Sequence, residues 1–264
     1  MRSAASSSHP IIGILGGMGP EATLDLMRRV VAATPAACDE DHIHMIVDNN
    51  PKVPSRIAAI IEKTGTDPAP ELIRMAKGLE AAGASILAMP CNTAHAYAQK
   101  ISASVSIPFL NMITLTAKRL SAMNLQHRRV GLLASRAVKI MGLYEKALAP
   151  YDISLIYPKQ ENRVMDIIMA VKKGEGTSNR KALVQIADEL KKEQIDLLLV
   201  ACTELSILAD SLQDVPIIDA LDVLAKEIVV FGFAERALQP QVLRKEAKNI
   251  KNKPINLKEW SAKT

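Results

Sequence analysis

Cysteine, aromatic residues and long apolar runs are all scarce in this chain. The 264 residues include only three cysteines, an odd number without paired spacing, which argues against a disulfide framework and favours a reducing compartment, the cytoplasm. No run approaches the roughly 20 apolar residues that a membrane-spanning helix needs. Residues 1–9 also lack the apolar segment of a signal peptide, so we expect neither export nor a membrane partner.

An excess of one charge is likewise missing from most of the chain. The net charge of +5 is accounted for by residues 239–264, where seven Lys or Arg residues face two Glu residues. The remaining chain is therefore close to neutral, and the tail is expected to be solvated. Because aromatic residues make up only 3% of the sequence, no stacking platform accompanies these lysines, and we expect no nucleic-acid partner.

Aliphatic residues are abundant, and they recur in two similar halves. Hydrophobic residues form 48% of the chain, which indicates an aliphatic α/β core. Three apolar segments in each half can be matched, with offsets of 118, 110 and 111 residues: 12–15 with 130–133, 45–47 with 155–157, and 86–88 with 197–199. The repeat predicts an α/β fold of two pseudo-symmetric lobes, each a parallel sheet flanked by helices, with the active site in the cleft between them.

The predicted organisation has four parts. A flexible tail covers residues 1–9, and a basic tail covers 237–264. The first lobe takes residues 10–112 together with 207–236, because a final strand at 215–219 and a helix at 221–231 are expected to return to it. The second lobe takes residues 113–206.

Two cysteines occupy matching positions in the two halves. Cys91 and Cys202 are 111 residues apart, and each follows an apolar run expected to be a buried parallel strand. Ligands bind at the carboxyl ends of such strands, so both thiols should face one crevice. A cysteine alone at a strand end is more often a small buried hydrophobe, and Cys38 has no comparable context. The pair, however, could remove a proton from one face of a carbon and return one to the other.

Catalysis by thiols requires partial ionisation, because a free thiol has a pKa of about 8.5. Helices expected to begin at Thr93 and Leu205 would favour the thiolates. His95, one turn after Cys91, could tune its thiolate or serve equally well in helix packing or capping.

The glycine-rich turn after the first strand has several interpretations. Gly17-x-Gly19-x-x-Ala22 formally matches a dinucleotide fingerprint, but that fingerprint needs an acidic residue about 20 positions on. Asp48 lies 29 residues beyond Gly19. An anion site at the start of a helix is favoured over a bare tight turn, and a cofactor site is the minority interpretation.

Four ordered motifs together carry a family resemblance. They are Gly16-Gly17-Met18-Gly19-Pro20, Asn50-Pro51-x-x-Pro54-x-Arg56, Pro90-Cys91-Asn92-Thr93-Ala94-His95 and Cys202-Thr203-Glu204-Leu205. In combination they resemble the aspartate/glutamate racemase family. The resemblance implies two pseudo-symmetric α/β lobes, racemisation of a small amino-acid substrate without a cofactor, and usually a homodimer.

The resemblance also assigns roles to residues. Cys91 and Cys202 correspond to the two acid/base thiols. Arg56 and Lys172 are expected near substrate carboxylates, with Lys173 as the alternative if the alignment slips by one, and aspartate or glutamate is the preferred substrate. The implied substrate-binding residues are Met18, Asn50, Arg56, Asn92, Thr93, Lys172, Thr203 and Glu204.

One segment departs from the family pattern. After the first strand of the second lobe, Ala137 and Val138 replace a Gly-Thr pair, and Met141 replaces a hydroxyl residue. The loss of a donor leaves room for a less polar or bulkier amino acid, for weak activity, or for a related reaction. The alternatives are a cis-trans isomerase or decarboxylase of a dicarboxylic acid and a catalytically silent small-ligand sensor.

No metal site is expected. His42 and His44 alternate along a predicted strand, but no carboxylate partner lies at suitable spacing. No lysine motif of a pyridoxal-phosphate enzyme is present, so no cofactor is predicted.

Overall fold

Two parallel sheets of four strands form the framework of the protein, in a computed structural model that describes residues 9–213 and 215–237. The predicted tails at 1–9 and 237–264 lie outside these residues, apart from positions 9 and 237. The first sheet has the order β2-β1-β3-β4 and the second has the order β6-β5-β7-β8. The strands are β1 Ile12–Gly16, β2 Met45–Asn49, β3 Ile86–Ala88, β4 Phe109–Leu110, β5 Arg129–Ala134, β6 Ser154–Ile156, β7 Leu197–Ala201 and β8 Ile217–Asp219.

The strand registers of the two sheets correspond to each other. In the first sheet Ile12 pairs with Met45 on one side and Ile86 on the other. In the second sheet Val130 pairs with Leu155 and Leu197, which are the residues matched to Met45 and Ile86 by the sequence repeat. The predicted α/β fold with two pseudo-symmetric lobes is therefore confirmed.

Helices cover both faces of each sheet, so the central strands are buried throughout. All five residues of β1 and all five of β7 are buried, as expected for parallel strands with helices on both sides. The α8 helix shows why such segments are helical, since its buried Leu183, Ile186 and Leu190 recur at helical spacing. The helices are α1 Pro20–Ala33, α2 Ala69–Ala81, α3 Ala98–Ser102, α4 Met112–Ser121, α5 Arg136–Ile140, α6 Leu143–Leu148, α7 Glu161–Lys172, α8 Arg180–Lys191, α9 Thr203–Ser206 and α10 Ala220–Ala237.

Several helices begin or break at positions that the sequence analysis placed differently. The segment after Cys91 forms a 3-10 helix, Thr93–Tyr97, before α3 begins, rather than one continuous helix. The helical segment after β5 is divided into α5 and α6 at Gly142, whose φ of +59° is left-handed. The helix expected from Leu205 begins at Thr203, directly after Cys202.

The last strand corrects one part of the predicted organisation. Residues 215–219 were expected to return to the first lobe, but β8 pairs with β7 at the edge of the second sheet, with Leu198 opposite Ile217. The short connection from α9 favours the neighbouring edge over a crossing to the other lobe. The following helix, α10, does pack on the first lobe, where Leu224 and Ile228 join Ile12 in one apolar cluster.

Among the described residues, no helix has both the length and the apolar character needed to cross a membrane.

Candidate active site

A cavity of about 970 Å³ lies where the carboxyl ends of the two sheets face each other. Its lining draws on both lobes, and it includes both Cys91 and Cys202. Each thiol-bearing residue is only 6% exposed. The structure therefore brings together the two cysteines that lie 111 residues apart in sequence.

The backbone of Cys91 is fixed by a neutral histidine. His95 Nε2 accepts a hydrogen bond from the backbone N–H of Met112 at 3.0 Å, so this ring nitrogen carries no proton. The other ring nitrogen, Nδ1, donates to the carbonyl oxygen of Cys91 at 2.9 Å. Burial lowers the pKa of His95 to about 4. His95 thus orients the Cys91 segment through its backbone and holds no hydrogen bond to the thiol.

The thiol of Cys202 has a carboxylate partner. Cys202 is the N-cap of α9, and its Sγ donates a hydrogen bond to Glu204 Oε2 at 3.1 Å. Burial, followed by the charge of Glu204 and this hydrogen bond, raises the pKa of Cys202 well above that of an ordinary thiol. Cys202 therefore keeps its proton in this arrangement.

Glu204 in turn forms an ion pair with Lys172 across the base of the cavity, through Oε1 and Nζ. The Glu204 side chain is 10% exposed and that of Lys172 is 32% exposed. Burial lowers the pKa of Lys172, but the Glu204 carboxylate, with smaller contributions from Cys91 and Cys202, more than offsets this and leaves the pKa raised. Lys172 lines the cavity, whereas the alternative, Lys173, is not part of the lining.

The guanidinium of Arg56 is held by backbone carbonyls. Its Nη1 donates to the carbonyls of Val53 at 3.2 Å and Pro54 at 2.9 Å, and its Nη2 donates to that of Met18 at 3.1 Å. The Nε–H is buried and has no partner among the described residues. Arg56 and Met18 both line the cavity, as the family resemblance implies.

Two hydrogen bonds cross between the lobes beside the thiols. Tyr144 donates its hydroxyl to Asn92 Oδ1 at 2.6 Å, and the Oγ atoms of Thr93 and Ser135 lie 3.0 Å apart. The Asn92 amide nitrogen is buried without a partner among the described residues. Thr93 lines the cavity, while Asn92 is buried and is not among the lining residues.

Three of the expected substrate-binding residues, Asn92, Thr203 and Asn50, are outside the cavity lining. Thr203 is 2% exposed, and its Oγ1 donates to Glu204 Oε2 at 3.5 Å. Asn50 donates its amide to Glu71 Oε1 at 2.6 Å and accepts from the backbone N–H of Lys52. The structure thus places the side chain of Asn50 against α2 rather than in the cavity.

The glycine-rich turn supports the cavity through backbone geometry. Gly17 has a φ of +88°, and a Cβ at this position would come within 2.3 Å of the Asn50 backbone, so no other residue is accommodated without displacement. Its N–H donates to Thr23 Oγ1 at 2.9 Å and is thereby already bonded within the protein. Gly17 and Gly19 both line the cavity.

A buried arginine attaches the Cys202 segment to the first lobe. Arg29 on α1 pairs with Asp25 at 3.0 Å and with Asp219 at 2.9 Å, and it donates to the carbonyl of Ser206 at 3.4 Å. Ser206 Oγ also donates to Asp219 Oδ1 at 2.8 Å. The helix that follows Cys202 is therefore connected to both lobes through this cluster.

Several apolar residues of the lining, called the methionine-rich wall below, have no signature in the sequence that assigns them to a site. Met165, Ile168 and Met169 on α7 form it together with Ile207, and Ile57 lies in the first-lobe part of the lining. Their helical spacing was detectable, but it equally suits a helix buried in the core. The acidic residues Glu21 and Glu62, which also line the cavity, were not identified either.

The segment that departs from the family pattern lies behind the cavity. Ala137 and Val138 are fully buried in α5, and Met141 is not among the lining residues. The hydroxyl that this part of the chain presents to the cavity belongs to Ser135. Within the described part of the chain, no group of three or more His, Cys, Asp or Glu side chains is placed to hold a metal ion.

Comparison with known proteins gives consistent results. The family model described as Asp/Glu/Hydantoin racemase matches residues 15–228. The broad specificity amino-acid racemase RacX of Bacillus subtilis (strain 168) is 29% identical over 225 residues, which cover 83% of this chain and 96% of that protein.

Two solved structures illustrate the similarity in fold. The aspartate racemase of Picrophilus torridus superimposes with a TM-score of 0.78 at 31% identity, covering 86% of this chain and 98% of the other. The glutamate racemase isoform RacE1 of Bacillus anthracis shares the fold with a TM-score of 0.63 at 21% identity, covering 89% and 85% of the two chains.

Proposed function

The chain belongs to the Asp/Glu/hydantoin racemase family, and on this basis we propose that it racemises an amino acid by proton transfer between Cα and the two thiols of Cys91 and Cys202. The observation that carries the proposal is the location of both buried thiols in the lining of one cavity. They follow equivalent strands, β3 and β7, of two matching sheets. Bases in such positions can approach opposite faces of a bound Cα.

The resting proton distribution suggests which thiol acts first. Because Cys202 donates a hydrogen bond to Glu204 and so keeps its proton, we assign it as the acid and Cys91 as the base of the first proton transfer. The Cys91 sulfur takes the proton from Cα, and the electron pair of the broken C–H bond remains on the carbon and is delocalised into the carboxylate. Cys202 then donates its proton to the opposite face. The product is the mirror-image amino acid, and the two thiols have exchanged protonation states.

The carbanion needs electrostatic stabilisation by the protein. The cation of Arg56 and the hydroxyl of Thr93 lie in the same lining as the thiols, and Lys172 lies there as the partner of Glu204. The unpartnered amide of Asn92, directly beside Cys91, is a further candidate donor to the substrate α-carboxylate. Donors prearranged around a developing negative charge lower the barrier without reorganising, so the proposal requires no cofactor.

The test is hydrogen–deuterium exchange at Cα, followed by NMR in deuterated buffer, together with inversion followed by circular dichroism or chiral chromatography. A panel of L- and D-amino acids is given to the wild type and to Cys91→Ser and Cys202→Ser. The matched control is Cys38→Ser, which changes an exposed cysteine outside the cavity.

We expect inversion by the wild type and by the Cys38 variant, and its loss in each of the other two. Inversion that persists without either cavity thiol would refute the two-thiol mechanism. A wild type that exchanges no amino acid would refute racemisation and favour an isomerase or a sensor.

We also propose that the protein is a homodimer. The support is an apolar stripe on α1, where Leu24 is 56% exposed and Val31 is 40% exposed, two helical turns apart on the same face. Light scattering coupled to size-exclusion chromatography should give twice the mass of one chain. Leu24→Asp should reduce it to a single chain mass if this face forms the contact.

A further inference from the structure

The described lining of the cavity can bind one carboxylate, through the cation of Arg56. Three hydrogen bonds to backbone carbonyls occupy one part of this guanidinium, while Nε–H is buried without a partner in the described part of the chain. Its charge is therefore held by neutral acceptors and is not neutralised by any of them. A guanidinium whose charge is not neutralised donates hydrogen bonds to a carboxylate.

The second cation of the lining is already neutralised. Lys172 is paired with Glu204, and Glu204 is almost fully buried. A substrate side-chain carboxylate that recruited Lys172 would have to displace Glu204, and it would leave that carboxylate buried without its counterion. Such a group is costly, because an unpaired buried charge loses its solvation without compensation.

The overall charge of the lining also disfavours a second carboxylate. Among the described lining residues, three carboxylates (Glu21, Glu62 and Glu204) stand against two cations (Arg56 and Lys172). The proposed mechanism adds a thiolate to the negative side. Every amino acid substrate brings an α-carboxylate, and Arg56, the cation of the described lining that no carboxylate neutralises, suffices for that group alone.

The space beside the thiols is apolar and adaptable. Met165, Ile168, Met169 and Ile207 all belong to the lining. Methionine side chains are flexible and adjust to ligands of different shape. A cavity of about 970 Å³ also has far more room than the short side chain of aspartate occupies.

From these observations we infer that the substrates are amino acids with a long side chain that carries no carboxylate, and that the methionine-rich wall contacts this side chain. The inference rests on the proposed function and replaces aspartate or glutamate as the preferred substrate. The α-carboxylate binds Arg56, and the aliphatic stem of the side chain lies along α7.

The decisive experiment compares kcat/KM for Cα exchange within isosteric pairs. Glutamine and glutamate differ in charge but hardly in size, and methionine adds an apolar side chain of similar length. We expect glutamine and methionine to exceed glutamate by at least about tenfold, because the carboxylate of glutamate would be buried against an apolar wall. Glutamate or aspartate turned over as well as the neutral amino acids would overturn the inference and leave the racemase function intact. A lack of exchange with every amino acid would refute both.

A charge added to the wall provides a second test. Met169→Lys places a cation on α7 beside the cavity, so the ratio of glutamate to methionine turnover should rise several-fold. The control is Tyr151→Lys, which makes a similar change at a residue 38% exposed just before β6, at the opposite end of the second sheet. A ratio that is unchanged in the Met169 variant would overturn the assignment of the wall to the substrate side chain.

Discussion

Replacing Arg29 should destabilise the protein far more than replacing its neighbour, Arg28. Both arginines pair with Asp25, but the side chain of Arg29 is 5% exposed and that of Arg28 is 48% exposed. Arg29→Met would leave the buried carboxylates of Asp25 and Asp219 without their shared cation. Breaking a buried pair by removing one partner costs about 3–5 kcal/mol, whereas an exposed pair contributes about 1 kcal/mol or less. We therefore expect Arg29→Met to lower the free energy of unfolding by about 3–5 kcal/mol and Arg28→Met to lower it by about 1 kcal/mol or less.

The decrease in the free energy of unfolding caused by Arg29→Met should also depend on pH. Burial raises the pKa of Asp219 even though Arg29 opposes this, and removing Arg29 raises it further. A carboxyl whose folded pKa is raised contributes stability that is complete below its unfolded pKa and is lost as the pH rises through its folded pKa. The deficit of the variant relative to the wild type should therefore be smallest near pH 4 and should grow towards pH 7.

The assay is urea denaturation followed by far-UV circular dichroism at several pH values, with m-values compared to ensure that the same transition is measured. Equal losses in the two variants would show that the buried cluster has no special role. A deficit that grows towards acidic pH would contradict the assignment of charged carboxylates around Arg29.

Three further predictions concern the supports of the site. The pKa of His95 is about 4 in the folded protein and about 6.5 in the unfolded chain, so the unfolded state binds the proton first as the pH falls. Between pH 7 and pH 4 the free energy of unfolding of the wild type should therefore fall by about 3 kcal/mol more than that of His95→Gln. Denaturant titrations at both pH values measure this difference. Tyr144→Phe should lower kcat/KM for Cα exchange about tenfold by leaving Asn92 Oδ1 without its donor, with Tyr157→Phe as the control. Gly17→Ala should cost about 2 kcal/mol or more in thermal denaturation, because its φ is positive and the new Cβ would meet the Asn50 backbone.

The sequence repeat was sufficient to predict the fold because the matched apolar segments are the strands that pair in each sheet. The matched residues Ile12 and Val130 occupy the same place in their sheets, with equivalent neighbours on both sides. The position of β8 could not be predicted in this way, since a three-residue strand at an edge has too little pattern of its own to choose between two sheets. The break at Gly142 was missed because glycine inside a helical pattern is often tolerated.

The sequence predicts those site residues that directly follow a strand, but not those that are placed by the packing of the two lobes. Cys91 and Cys202 meet because the carboxyl ends of parallel strands lie at one edge of each sheet and the two edges face one cavity. The ion pair between Lys172 and Glu204 joins residues 32 positions apart, and no local pattern encodes it. Which face of α7 borders the cavity depends on how the lobes pack together, so Met165 and Met169 could equally have been core residues.

The pseudo-symmetry equates the positions of the two thiols but not their surroundings. Cys202 donates to a carboxylate, whereas the Cys91 segment is held through its backbone by a neutral His95. A racemase can tolerate such asymmetry, because two enantiomers have the same free energy in water and the ratio of kcat/KM in the two directions must equal one. Different thiol environments can therefore make kcat and KM differ between the two enantiomers only in the same proportion, so that the two values of kcat/KM stay equal. Under the proposed mechanism, the protein can hold one thiol as the resting acid and the other as the resting base without favouring either product at equilibrium.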